Sequence, residues 1–155
     1  MENKKELIKY LNLQTCKKIL KKLEGDKIIG RGFWGVIYKL IIKGEKVSIK
    51  LQPLKNTKTW DASIKDPRNI NLEIELLKEL SKFKITHNFL HFPYFYKEIK
   101  CNSQSIIFYE YFNYNLKNIF INKISLHDFQ NICIQILISI FYFQQVTKYY
   151  HNDIH

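Results

Sequence analysis

Ile29 to Lys50 reads IGRGFWGVIYKLIIKGEKVSIK, and the fold turns on how this stretch is interpreted. It opens on Gly30-Arg31-Gly32-Phe33-Trp34-Gly35, a G-x-G-x-x-G run. A β-branched and aromatic stretch, Val36 to Ile42, follows; then come a turn at Lys43-Gly44-Glu45 and the segment Val47-Ser48-Ile49-Lys50. The pattern is strand, glycine turn, strand, polar turn, strand. A dinucleotide fingerprint places a helix directly after its glycines, and here a second strand follows instead. Glycines let a backbone lie close to phosphates and take dihedrals that a Cβ forbids. A lysine on the adjacent strand adds a point charge for the same phosphates. Three glycines alone mark many ordinary turns, but glycines with a V-x-I-K strand at hairpin spacing are far more specific.

Working outward, 155 residues suffice for one domain with a real core. Hydrophobic residues at 46% and charged residues at 25% argue for a globular chain rather than a disordered one. The formal net charge of +11 raises nucleic acid, an anionic membrane or an acidic substrate as partners. The cations are nearly all lysine, in a chain also rich in isoleucine and asparagine, which is the mark of A+T-rich coding. No arginine-rich patch interleaved with aromatics occurs, so nucleic acid is not favoured.

Cys16, Cys101 and Cys133 are scattered without C-x-x-C spacing, and they read as reduced intracellular thiols rather than a disulfide framework or a zinc site. Met1-Glu2-Asn3-Lys4-Lys5 leads into no apolar stretch, so no signal peptide is expected. The longest apolar run, Ile136 to Phe143, is too short to span a bilayer. The composition predicts a soluble, cytoplasmic protein without a membrane span.

Before the hairpin, Leu7, Leu11, Ile19, Leu20 and Leu23 recur at helical spacing, with Thr15 as N-cap of a second helix. After it, Gln52 to Lys65 reads as a polar linker, with Pro53 excluding a central strand. Asp66-Pro67 has the form of a helix start, and Leu72, Leu76 and Leu80 mark one face of the helix that follows. Glu73 lies at the edge of that face, and Glu75 competes with it as the acid that could reach a strand lysine. Phe92-Pro93-Tyr94 begins an extended segment to Lys100, and Ser105 to Tyr111 forms a further strand. A short helix is expected around Leu116 to Phe120. Ser125-Leu126-His127-Asp128 has a capping-box shape and starts a long helix with an apolar stripe at Phe129, Ile132, Cys133, Ile136, Leu137 and Ile140. Five strands with one inserted helix predict an α+β fold.

Taken together these elements resemble, over residues 26–155, the amino-terminal part of a eukaryotic-type protein kinase. Ile29 to Ile37 is similar to the glycine-rich loop, Val47-Ser48-Ile49-Lys50 to the V-A-I-K strand, and Glu73 to Leu80 to the C-helix. Phe108-Tyr109-Glu110-Tyr111-Phe112 resembles the hinge strand, and His151-Asn152-Asp153-Ile154 resembles the start of the catalytic loop. The resemblance implies a small lobe with a five-stranded antiparallel sheet and C-helix over 25–112. A helical extension over 1–24 would precede it, and a partial large lobe over 113–155 would follow.

ATP is the implied ligand, held by Ile29, Gly30, Arg31, Gly32, Phe33, Trp34, Gly35, Val36 and Ile37, by Lys50, and by the backbone of Glu110 and Phe112. By the same resemblance Ile29 and Ile37 cover the adenine, Ser48 is the small residue beside it, and Trp34 sits near the loop tip. Lys50 holds the phosphates, Glu73 pairs with Lys50, Tyr109 is the gatekeeper, and Asp153 accepts the proton of an attacking protein Ser/Thr hydroxyl.

Asn152 stands where the family places an arginine, and His155 stands where Ser/Thr kinases place a lysine. The H-N-D-I-H stretch is also similar to haspin-like kinases and to aminoglycoside and choline phosphotransferases. The family's metal-binding asparagine and D-F-G aspartate have no counterpart among these 155 residues, as expected of a truncated or fragmentary form. Mg2+ is therefore expected for the family without its ligands here, and these residues alone are expected to show little catalysis. A pseudokinase-like module that binds a nucleotide or a docking partner, or a fragment of a small-molecule phosphotransferase, is the alternative expectation. The stripe after Ser125 is expected to need a partner for good solubility.

Overall fold

The structure is a computed structural model that describes residues 2–32, 35–53, 67–113, 119 and 124–149. Within these residues the period-2 and period-3.6 segments become five strands and four helices, an α+β fold. In chain order they are α1 (Glu2–Asn12), α2 (Cys16–Leu23), β1 (Ile28–Gly32), β2 (Gly35–Ile42), β3 (Glu45–Pro53), α3 (Pro67–His87), β4 (Phe95–Lys100), β5 (Gln104–Glu110) and α4 (Leu126–Thr147). The strands form one antiparallel sheet in the order β1-β2-β3-β5-β4.

Local chemistry sets the boundaries. Thr15 caps α2 by accepting the Lys18 N–H at 3.5 Å, and Gly25 follows the helix at φ +89°. Lys43 and Gly44, at φ 52° and 79°, make the two-residue turn that joins β2 to β3. Left-handed dihedrals at both turn positions match the natural twist of paired strands.

The chain divides into two compact units, Met1–Glu75 with Phe95–Tyr111 and Leu76–Tyr94 with Phe112–His155. In the first, strand register sorts the side chains between two faces of the sheet. Ile37 pairs with Lys50 and Lys50 with Ile107; Ser48 pairs with Tyr109 and Gln52 with Ser105. These side chains share one face, and Glu73, from the part of α3 that belongs to this unit, reaches it. Tyr38 pairs with Ile49 and Ile49 with Phe108, while Leu51 pairs with Ile106, so these form the opposite face.

On that opposite side α1 lies against β4, where Lys97 Nζ donates to the Leu11 carbonyl at 3.3 Å and to Asn12 Oδ1 at 2.9 Å. Leu7, Leu11 and Ile19 have no exposed surface, nor do Val47, Ile49, Ile106 and Phe108. Each such side chain stabilises the fold by roughly 2 kcal/mol through burial, so the first two helices belong to the core of this unit.

In the second unit, aromatic rings join the end of α3, the following loop and α4. Phe89 lies 5.6 Å from Phe83, 4.9 Å from Phe92 and 4.8 Å from Tyr142 between ring centroids. Lys84 Nζ donates to the Phe92 carbonyl at 2.9 Å. Ser125 caps α4, its Oγ accepting the Asp128 N–H at 3.1 Å. No residue of α4 is fully buried, and Leu126, Leu137 and Phe141 are all more than half exposed.

Four expectations change. Gln52 and Pro53 belong to β3 rather than to a linker. Proline lacks only its N–H, and Pro53 is the last residue of the strand, where that loss costs least. On α3 the fully buried positions of the described stretch are Ile74, Leu80 and Ser81, while Leu72 and Leu76 are only half-buried. Cys16 and Cys101 are not separate thiols but a disulfide, closed because α2 begins where the β4–β5 turn lies; Cys133 is free. Finally, α4 is long and apolar enough to cross a membrane by length and composition, because helical continuity joins apolar runs that glutamines and Ser139 interrupt. With His127, Asp128 and four glutamines along it, a membrane span is not favoured. The linker over 54–65, the N-cap at Asp66 and most of the helix expected at Leu116 to Phe120 lie outside the described residues.

Candidate nucleotide-phosphate site

Lys50 stands near the middle of β3, the central strand, on the face covered by α3. Its ammonium donates to Glu73 Oε1 at 2.6 Å, and only 15% of the side chain is exposed. The other carboxylate oxygen of Glu73 accepts from Gln52 Nε2 at 2.9 Å. Gln52 lies two residues along β3 from Lys50, so the pleat places both on one face. Both oxygens of Glu73 are thereby held, and the carboxylate can neither rotate nor leave without losing two bonds.

The helical period explains why Glu73 does this. Ile74 is 2% exposed, Glu73 stands beside it half-buried, and Glu75 is exposed. Of the two competing acids, Glu73 is the one that reaches Lys50. Gln52 is 1% exposed, and its Oε1 has no partner among the described residues. A lysine ammonium carries three donors, and one of them points at Glu73.

Tyr109 on β5 pairs with Ser48 across the same face. Its pKa is pushed up to about 12, first by burial and second by the nearby Glu73 carboxylate, while a hydrogen bond from Ser48 works the other way. The phenol therefore stays neutral throughout the physiological range.

Gly35 is glycine for a reason internal to the sheet. At φ +148° its backbone lies so close to β3 that a Cβ would meet the Leu51 carbonyl oxygen at 2.2 Å. Gly30 differs, since a Cβ there would touch Ile37 Cδ1 at an ordinary 3.5 Å. Of these two, Gly35 has the greater structural need.

The other expected residues fall as follows. Ile29, Gly30, Arg31 and Gly32 lie on β1, with Ile29 43% exposed. Ile37 stands directly opposite Lys50 on the α3 side, whereas Val36 pairs with Leu51 and occupies the opposite face. Glu110 ends β5 with its carboxylate 3.9 Å from Lys4 Nζ. Phe112 follows β5 and is exposed. Phe33, Trp34 and Asp153 lie outside the described residues, so nothing here joins Asp153 to Lys50 and Glu73.

Two residues join the site that motif matching passed over. Gln52 was detectable by same-face alternation from Lys50. Lys39, opposite Ser48, lies over the Tyr111 ring at 4.7 Å to its centroid, a cation–π contact at the end of β5. Among the described residues no three His, Cys, Asp or Glu side chains converge on a point that could hold a metal ion. The described part of the site is thus a strand lysine bonded to a helix carboxylate that Gln52 also holds. Compared with models of known protein families and with curated proteins, the chain matches none.

Proposed function

We propose that the first unit is a nucleotide-binding lobe of the protein-kinase kind, which takes ATP against the α3-covered face of the β1–β2–β3 hairpins. The observation that carries this reading is the Lys50–Glu73 pair, locked from behind by Gln52. A half-buried ion pair gains little net stability, because desolvating the charges offsets their attraction. A strand lysine held rigidly by a helix acid instead makes sense as a preorganised donor for phosphate oxygens. In this reading ATP supplies the transferable phosphoryl group. Lys50 binds its phosphates, Glu73 and Gln52 orient Lys50, and Gly30 and Gly32 leave the face open. Tyr109, neutral and buried, closes the back of the pocket beside Ser48.

The acceptor in this reading is a protein Ser/Thr hydroxyl, with Asp153 as its base. The test is ATP binding by calorimetry for wild type and Lys50→Met, with circular dichroism to confirm folding. A charge-assisted bond of about 1.5–3 kcal/mol predicts a roughly 10- to 100-fold loss of affinity in the variant. Equal affinity, or no ATP binding by the wild type, would refute the proposal. Binding without phosphoryl transfer would assign the chain to nucleotide- or partner-binding modules. Transfer only to an aminoglycoside or choline would assign it to small-molecule phosphotransferases.

A further inference from the structure

Away from Lys50 and Glu73, the first unit holds a covalent tie that nucleotide binding does not use. Cys16, the first residue of α2, is bonded to Cys101 in the turn between β4 and β5, across 85 residues of chain. The bond lines an open cavity of about 620 Å3 whose wall includes Lys17, Lys21, Lys100 and Glu24. Three cations face one acid there. Lys100 also lies 4.0 Å from Glu98, so Lys17 and Lys21 carry most of the free positive charge. Both cysteines are only half-buried, which leaves their sulfurs within reach from the cavity.

We propose that Cys16–Cys101 is a thiol–disulfide exchange site for a small anionic thiol, a carboxylate-bearing peptide thiol of the glutathione class. A cavity of this volume accommodates a molecule of that size. The lysines attract its carboxylates and raise its local concentration. The incoming thiolate attacks Cys101 Sγ, a new sulfur–sulfur bond forms, and the Cys16–Cys101 bond breaks. Cys16 departs with the electron pair as a thiolate.

It is the better leaving group because it opens α2, where backbone N–H groups and the adjacent Lys17 and Lys18 stabilise negative charge. A second thiolate then attacks the ligand sulfur of the mixed disulfide, releasing the oxidised ligand dimer and the Cys101 thiolate. The two protons given up by the incoming thiols neutralise the two cysteines. The protein disulfide gains two electrons, and two thiols are oxidised. The exchange removes the disulfide that, besides the backbone itself, ties the α1–α2 pair covalently to the sheet.

The test uses the oxidised 155-residue chain with glutathione, neutral 2-mercaptoethanol and cationic cysteamine. Rates are compared at equal thiolate concentration and read by alkylation and mass spectrometry. Glutathione should react roughly tenfold faster than 2-mercaptoethanol, and cysteamine more slowly than either. The preference should collapse in Lys17→Gln/Lys21→Gln, where both changes fall on exposed side chains that leave the fold intact. The trapped mixed disulfide should map to Cys101. Equal normalised rates for the three thiols, an unchanged preference in the double variant, or peptide maps of air-folded protein lacking the Cys16–Cys101 link would each overturn the proposal.

Discussion

Replacing Gly35 by alanine tests the hairpin geometry most sharply, because two costs fall on one atom. The added Cβ would sit 2.2 Å from the Leu51 carbonyl oxygen and 3.2 Å from its carbon. That is roughly 1 Å inside the contact real Cβ atoms make, and the neighbour is backbone, which cannot swing aside. A φ of +148° adds strain of about 1–3 kcal/mol for a residue with a side chain. Relief requires β2 to separate from β3 around the Val36–Leu51 pair, at about 1 kcal/mol for each ladder bond lost.

The sum is about 3–5 kcal/mol, or a melting temperature lower by roughly 10 °C for a chain of this length. Gly44→Ala separates the two terms. Its φ is +79° but nothing lies within 4 Å of the added atom, so only the dihedral cost of about 1–2 kcal/mol applies. Gly30→Ala has neither problem and should cost under about 1 kcal/mol. Urea denaturation of the three variants should give the order Gly35, Gly44, Gly30. A Gly35→Ala protein no less stable than Gly44→Ala would refute the close approach of β2 to β3.

Other consequences concern the ion pair, the phenol and the aromatic cluster. Lys50→Met leaves Glu73 half-buried and bonded to Gln52 and should destabilise by about 1–3 kcal/mol, whereas Lys50→Met/Glu73→Leu should recover part of that loss in a denaturation cycle. Tyr109 holds its proton more tightly when folded, so its contribution is fully present below the ordinary phenol value of 10 and is lost as pH rises toward 12. Stability should fall by roughly 3 kcal/mol over that window, and the fall should be absent in Tyr109→Phe; a wild-type profile that matches the variant would count against the buried phenol. Phe89→Ala removes the ring shared by Phe83, Phe92 and Tyr142 and should cost about 2–4 kcal/mol. Thermal melting reads this directly, and a shift as small as that of a surface substitution would show that the cluster does not hold the second unit.

Local signals made much of the fold legible. β-Branched and aromatic content through Val36 to Ile42, the turn at Lys43-Gly44-Glu45 and Val47 to Lys50 marked the hairpin, whose register puts Ile37 opposite Lys50. Leu72, Leu76 and Leu80 placed Glu73 at the edge of the helix face but left Glu75 competing, and only the burial of Ile74 separates the two acids. What sequence spacing hid was long-range. Cys16 and Cys101 meet across 85 residues, and no short-range pattern encodes that closure. Gln52 was hidden by its neighbour, since Pro53 suggests a break although a strand end tolerates it. The burial of α1 and α2 was likewise obscured, because their lysine pairs point outward while Leu7, Leu11 and Ile19 vanish into the core.

The central claim is that a nucleotide's phosphates lie against Lys50. An ATP acyl phosphate tests it by position, because its acyl group passes to a lysine amine held beside the phosphates, forming an amide and freeing the nucleotide. Peptide mapping of the labelled chain should find Lys50 modified first, with labelling suppressed by excess ATP and redirected in Lys50→Met. Labelling spread over exposed lysines such as Lys17 and Lys21, with no protection by ATP, would contradict the account.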